Sequence, residues 1–121
     1  MKYYSTILKE SRIFPGVSYE IRRCSLKSRL ELLRLVRAEG HGLDFHNAGD
    51  DFADQLRSRE VLKSIEAIYI RWALLRLVGL SIDNEPADCE LLIEKGPEDL
   101  CREIAEGIRE ECFLSEEERK N

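Results

Sequence analysis

Ile65-Glu66-Ala67-Ile68-Tyr69-Ile70-Arg71-Trp72-Ala73-Leu74-Leu75-Arg76-Leu77-Val78-Gly79-Leu80 is the most apolar stretch of this 121-residue chain, and its reading decides the fold. With 16 residues, three of them charged, it is too short and too polar to span a bilayer. Its spacing predicts a central core helix that starts near Asp50 and Asp51 and runs through Arg59 to about Val78. Val61, Ile65, Ile68, Trp72 and Leu75 form one stripe, and Leu62, Tyr69, Ala73, Leu77 and Leu80 form a second beside it. Together they make roughly two-thirds of the circumference apolar, so neighbours or another chain must wrap it. Asp50 and Asp51 suit the helix start, an interruption is possible near Ser58, and Gly79 weakens the end. Arg71 and Arg76 must snorkel out of so apolar a helix or be paired, with the C-terminal acids as the expected partners.

Upstream, Tyr3 to Leu8 and Val17 to Arg23 are rich in β-branched and aromatic residues, with Phe14-Pro15-Gly16 as turn chemistry between them. Val17, Tyr19 and Ile21 alternate with Ser18, Glu20 and Arg22, the pattern of a half-exposed strand. A two-stranded ribbon is marginal alone, so this one, over about residues 3–23, is expected to lie on the helices or on a partner's sheet. Ser25 can cap a helix in which Leu26, Leu30, Leu33 and Val36 or Arg37 recur at helical spacing before Gly40. Residues 39–49 hold three glycines and both histidines and read as a loop.

Downstream, residues 83–86 break the pattern, residues 87–94 give a short helical piece, and Pro97 suits the first turn of a further helix. That helix carries Leu100, Cys101, Ile104, Ala105, Ile108 and Cys112 on one stripe, with Glu103, Glu106, Glu110 and Glu111 largely off it. Ser115 and Glu118 have capping-box spacing, but only three residues follow. The expected fold is mainly α: a small helical domain over residues 1–114 with an N-terminal two-stranded β-ribbon. Residues 115–121 would be a truncated or frayed helix start.

Charge drifts along the chain. Residues 1–48 hold 9 Lys/Arg against 5 Asp/Glu, residues 49–82 hold 5 of each, and residues 83–121 hold 5 against 14. Such polarity suits contact with other proteins, or head-to-tail contact between copies, better than a grip on nucleic acid. The basic run of Arg22, Arg23, Lys27, Arg29, Arg34 and Arg37 raises a nucleic-acid patch, but net charge of −5 and the lack of interleaved aromatics argue against it. Cys24, Cys89, Cys101 and Cys112 form no Cys-x-x-Cys pair and read as buried, reduced thiols of a cytosolic protein. Residues 1–10 contain no apolar run of signal-peptide length, so export is not expected. His41 and His46 flank Asp44 in the loop without a third ligand at metal spacing. No phosphate loop, dinucleotide fingerprint or nucleophile elbow occurs, so neither an enzyme nor a cofactor is expected.

Two stretches carry a resemblance. Phe14-Pro15-Gly16-Val17-Ser18-Tyr19-Glu20-Ile21-Arg22-Arg23, followed by Ser25 and Arg29-Leu30-Glu31-Leu32, is one. The other is Gly96-Pro97-Glu98-Asp99-Leu100 with Glu103-Ile104-Ala105 and the ending from Leu114 to Asn121. In layout the chain resembles the tail assembly chaperones of siphophages and prophages. That resemblance implies a mainly helical, cofactor-free protein that self-associates and coats a tape-measure protein before tail-tube protein polymerises around it, in the host cell cytoplasm. It also implies a longer form made by ribosomal frameshift near the end of the chain. It supplies no residue-level motif. The expected partner-binding residues come from the apolar stripe and its charges: Ile68, Arg71, Trp72, Leu75 and Arg76, with Arg22 and Arg23 from the basic third. A small phage structural or head-tail connector protein is the alternative, and a nucleic-acid-associated regulator is the third.

Overall fold

The computed structural model describes residues 1–40 and 52–114. It divides the apolar stretch in two. Helix α2 ends at Ala73, and the next residues form strand β3, so the order so far is β1 (Thr6–Glu10), β2 (Ser18–Arg22), α1 (Leu26–Gly40), α2 (Phe52–Ala73) and β3 (Leu74–Val78). The expected helix through Val78 is therefore corrected, and the two-stranded ribbon becomes a three-stranded antiparallel sheet of order β1-β2-β3. Among the described residues the domain is mixed α/β, with four α-helices: helix predominates as expected, and the sheet has three strands in place of the expected two.

A bulge explains the misreading. In register, Ile21 faces Leu74 while Glu20 faces Arg76, which leaves Leu75 as an extra residue in β3. The inward residues Leu74 and Leu77 are thus three apart, not two, and that is a helical spacing. Ile70, nearly fully buried, was on neither expected stripe, because α2 presents Ile70 and Ala73 to the core while Leu62 stays exposed.

The central strand β2 alternates as read from sequence: Tyr19 and Ile21 face the core, while Ser18, Glu20 and Arg22 face outward. Its turn to β1 is held by Ser11, whose Oγ accepts from the Ile13 and Phe14 amides at 3.2 and 3.0 Å. Glu103, from a helix later in the chain, then clamps this turn, accepting from Ser11 Oγ at 2.6 Å and from the Arg12 amide at 2.7 Å. After β3 come β4 (Ser81–Ile82) and β5 (Glu85–Pro86), a two-residue hairpin with Asp83 and Asn84 at φ 51° and 66°. Positive φ at both central residues matches the right-handed twist of the flanking strands, and Asp and Asn tolerate it.

Asp88 caps α3 (Cys89–Lys95), accepting from the Leu91 amide at 2.8 Å. Helix α4 (Glu98–Arg109) begins after Pro97 with two acids in its first turn and continues into a π-helical turn, Glu110–Leu114. Its stripe is the one read from sequence: Leu100, Ile104, Ala105, Ile108 and Cys112 are buried against Tyr19, Ile21, Ile70, Ala73 and Leu92. The short stretch from residues 115–121, with its expected helix start, lies outside the described residues, as do His41 and His46.

Two of the four cysteines read as reduced thiols are paired in the structure. Cys24, just after β2, is disulfide-bonded to Cys112 in the π-helical turn, with Cα atoms 5.2 Å apart across a separation of 88 residues. Spacing gave no sign of this pair, because only the docking of α4 on the sheet brings the two together. Cys89 and Cys101 are free and half-buried, and burial raises both thiols above their ordinary pKa.

Closing so long a loop restricts the unfolded chain, so reduction with dithiothreitol is expected to lower the unfolding free energy by about 2–4 kcal/mol. Far-UV circular dichroism should be retained, since Leu100, Ile104 and Ile108 remain buried in the core when the bond is broken. Gly79 supplies a second test. It sits at φ 82°, and a Cβ there would collide with the Gly16 carbonyl oxygen. Gly79→Ala should cost about 1–3 kcal/mol in urea unfolding through that clash and the left-handed backbone.

Candidate functional site

The seven expected partner-binding residues do not form one helical stripe. Ile68 and Trp72 lie on α2, half-buried against the core. Leu75 and Arg76 lie on β3, where both are exposed, and Arg22 and Arg23 sit at the end of β2. The bulge turns Leu75 out to solvent instead of continuing the Ile68–Trp72 line. A shared stripe of Ile68, Trp72 and Leu75 is therefore corrected.

What the fold assembles instead is the outer face of the sheet. Leu8 stands opposite Glu20, which stands opposite Arg76, so one cross-strand row runs from apolar to acidic to basic. Arg76 Nε meets Glu20 Oε1 at 3.4 Å, and Thr6 Oγ1 donates to Glu20 Oε2 at 3.2 Å. Leu8, Leu75 and Val78 flank this pair and remain exposed. Sequence reasoning missed Leu8 and Val78. The alternation of β2 was the available signal, since its polar residues mark a face that strands on either side must share.

The arginines are held by neighbours. Arg22 lies 4.9 Å over the ring of Trp72, a cation–π contact, and Arg23 lies 5.8 Å over Tyr3. Among the described residues, the buried Nε of Arg23 and Nε1 of Trp72 find no hydrogen-bond partner. Arg71 pairs with Glu90 at 3.1 Å, one of the C-terminal acids expected to neutralise it, whereas Arg76 turns to Glu20 of the N-terminal third. Arg22, Arg23 and Leu75 share a cleft of about 290 Å³ with Tyr3, Ser25 and Ser28 at the start of α1. Ile68, Arg71, Trp72 and Arg76 do not line it.

A second cleft, of about 310 Å³, lies between β1, β2 and α4 and holds Tyr19, Glu103, Glu106 and Glu110. Burial raises the Tyr19 phenol above its ordinary pKa, and the Glu103 charge adds to that. Ser11 and Glu103 are already committed to each other and to the turn, so this cleft braces the sheet on α4. Among the described residues no group of three or more His, Cys, Asp or Glu side chains is placed to hold a metal ion, and no helix is long and apolar enough to cross a membrane. With the geometry in view, comparison with family models, curated proteins and solved structures finds no match for this chain.

The chemistry this surface can perform is recognition: exposed aliphatic groups fixed on a rigid sheet, with an ion pair between them to set orientation. Trp72 is the chain's single tryptophan and reports on the arginine above it. Arg22→Ala should move its emission to longer wavelength as water replaces the guanidinium, and should cost about 0.5–1 kcal/mol of stability.

Proposed function

We propose that this chain is a non-enzymatic protein-binding module, an assembly chaperone of the phage tail kind, which shields apolar segments of a tape-measure-type partner or of tail-tube protein until they assemble. The observation that carries this reading is the uncovered outer face of the sheet, where Leu8, Leu75 and Val78 stay in water around the Glu20–Arg76 pair. Aliphatic side chains grouped this way are stabilised by a partner's apolar surface. The choice of partner is supported by the sequence layout, which resembles that of tail assembly chaperones. Self-association belongs to the same reading, as the resemblance implies.

The reading places the protein in the host cell cytoplasm, where thiols are kept reduced. Cys24 and Cys112 would then be thiols held close by packing, and the disulfide would form on exposure to an oxidising medium. The alternative, a small structural or connector protein, draws on a different feature. Among the described residues β1 and β3 pair with no further strand, and open edges invite strand addition from a neighbouring subunit.

Co-expression with a tape-measure protein tests the proposal. A soluble complex is expected, and its yield should fall about tenfold when Leu75 and Val78 are both changed to Ser, because both are exposed and neither change empties the core. A complex indifferent to that double change would remove the outer sheet face from the contact. No complex under any condition would sink the chaperone reading.

A further inference from the structure

Helix α1 is turned the unexpected way. Leu26, Leu30 and Leu33, which recur at helical spacing, are 80%, 46% and 41% exposed, and Leu32 is the buried side chain, with Val36 half-buried beside it. At 100° per residue, Leu26, Leu30, Leu33 and Arg37 form a continuous stripe at i, i+4, i+7 and i+11. Lys27 and Arg34, seven apart, run along the flank of that stripe, on the side away from Leu32. Lys27, Arg34 and Arg37 make no ion pair among the described residues, in contrast to Arg71 and Arg76. The helix thus presents an aliphatic ridge with a basic border, and it is held to the rest of the protein by few buried groups.

We infer that this ridge is a docking strip for an amphipathic helix of another protein, one whose leucine-type stripe is bordered by Asp and Glu. The inference deepens the protein-binding reading and rests on it. Charge complementarity selects the occupant: an apolar stripe covers Leu26, Leu30 and Leu33, and carboxylates beside it meet Lys27, Arg34 and Arg37. A second copy does not fit. Among the described residues the acidic amphipathic helix on offer is α4, and its stripe of Leu100, Ile104 and Ile108 is already fully buried in its own core. Symmetric contact of α1 with α1 would set the same cations against each other.

The test uses the full chain and a fluorescently labelled synthetic helix of about 20 residues, with leucines at i, i+4 and i+7 bordered by glutamates. Saturable binding is expected by anisotropy, weakened about tenfold or more in Leu30→Ala/Leu33→Ala and in Lys27→Glu/Arg34→Glu. The charge-reversed variant should in turn bind a peptide with lysines in place of the glutamates, a rescue that a misfolded protein could not give. Absence of binding, or equal binding by both variants, overturns the inference. So does a wild-type dimer that dissociates on Leu30→Ala/Leu33→Ala, which would make a second copy the occupant. Binding of the chain to phosphatidylglycerol–phosphatidylcholine vesicles through the same residues, without binding of the peptide, would make the strip a membrane surface and overturn it equally. A co-expressed tape-measure complex that survives both α1 variants overturns this inference and leaves the broader reading standing. Peptide binding without any such complex supports the strip and removes the tape-measure partner.

Discussion

Everything in this molecule depends on the seating of α4 against the inner face of the sheet. Leu100, Ile104 and Ile108 are fully buried in one core cluster with Tyr19 and Ile21 of the central strand and Ile70 and Ala73 of α2. The approach is close because position 107 is glycine: a Cβ there would stand 3.2 Å from the Tyr19 hydroxyl, tighter than an ordinary contact. Glu103 on the same helix ties down the β1–β2 turn, and the end of the helix meets Cys24 through the disulfide. A single amphipathic helix therefore sets the sheet, its first turn and the closure of the chain. Its burial is dominated by area removed from water, with the polar ties fixing register rather than supplying most of the stability.

Once α4 occupies the inner face, the remaining apolar surface is left outside. The sheet has one covered face, so the bulge residue Leu75 and its neighbours Leu8 and Val78 have nothing of their own chain to pack on. Helix α1 follows β2 directly and contributes chiefly Leu32 to the core, which leaves its Leu26–Leu30–Leu33 ridge beside the basic side chains. These two surfaces differ in character. The sheet face carries an internally satisfied ion pair, suited to orientation, whereas the α1 ridge is flanked by Lys27, Arg34 and Arg37, which make no ion pair among the described residues and are suited to attraction of an acidic helix.

The parts of this protein that could be read in the amino-acid order are those whose periodicity is local. The alternation of Tyr19 and Ile21 with Glu20 and Arg22, the stripe of α4, Pro97 at the helix entrance and the break at residues 83–86 all reappear in the structure. Of the candidate site, the outward polar side of β2 and the pairing of Arg71 with a C-terminal acid were legible. The grouping of Leu8 with Leu75 and Val78 was not, because it is a property of strand neighbours remote in sequence.

By itself, then, the amino-acid order determined which short segments are amphipathic, where they cap and break, and how charge is distributed along them. Tertiary structure alone decided which apolar stripe is used. Leu74 to Val78 fits a helix or a bulged strand equally well, and the open edge of β2 decided for the strand by supplying hydrogen-bond partners. Leu26, Leu30 and Leu33 have the spacing of a buried face, yet the direction in which α1 leaves the sheet turned Leu32 inward in their place. Cys24 and Cys112 have no local relation at all and became partners only through α4. In each case local spacing permits more than one burial, and competition for a single core surface selects among them.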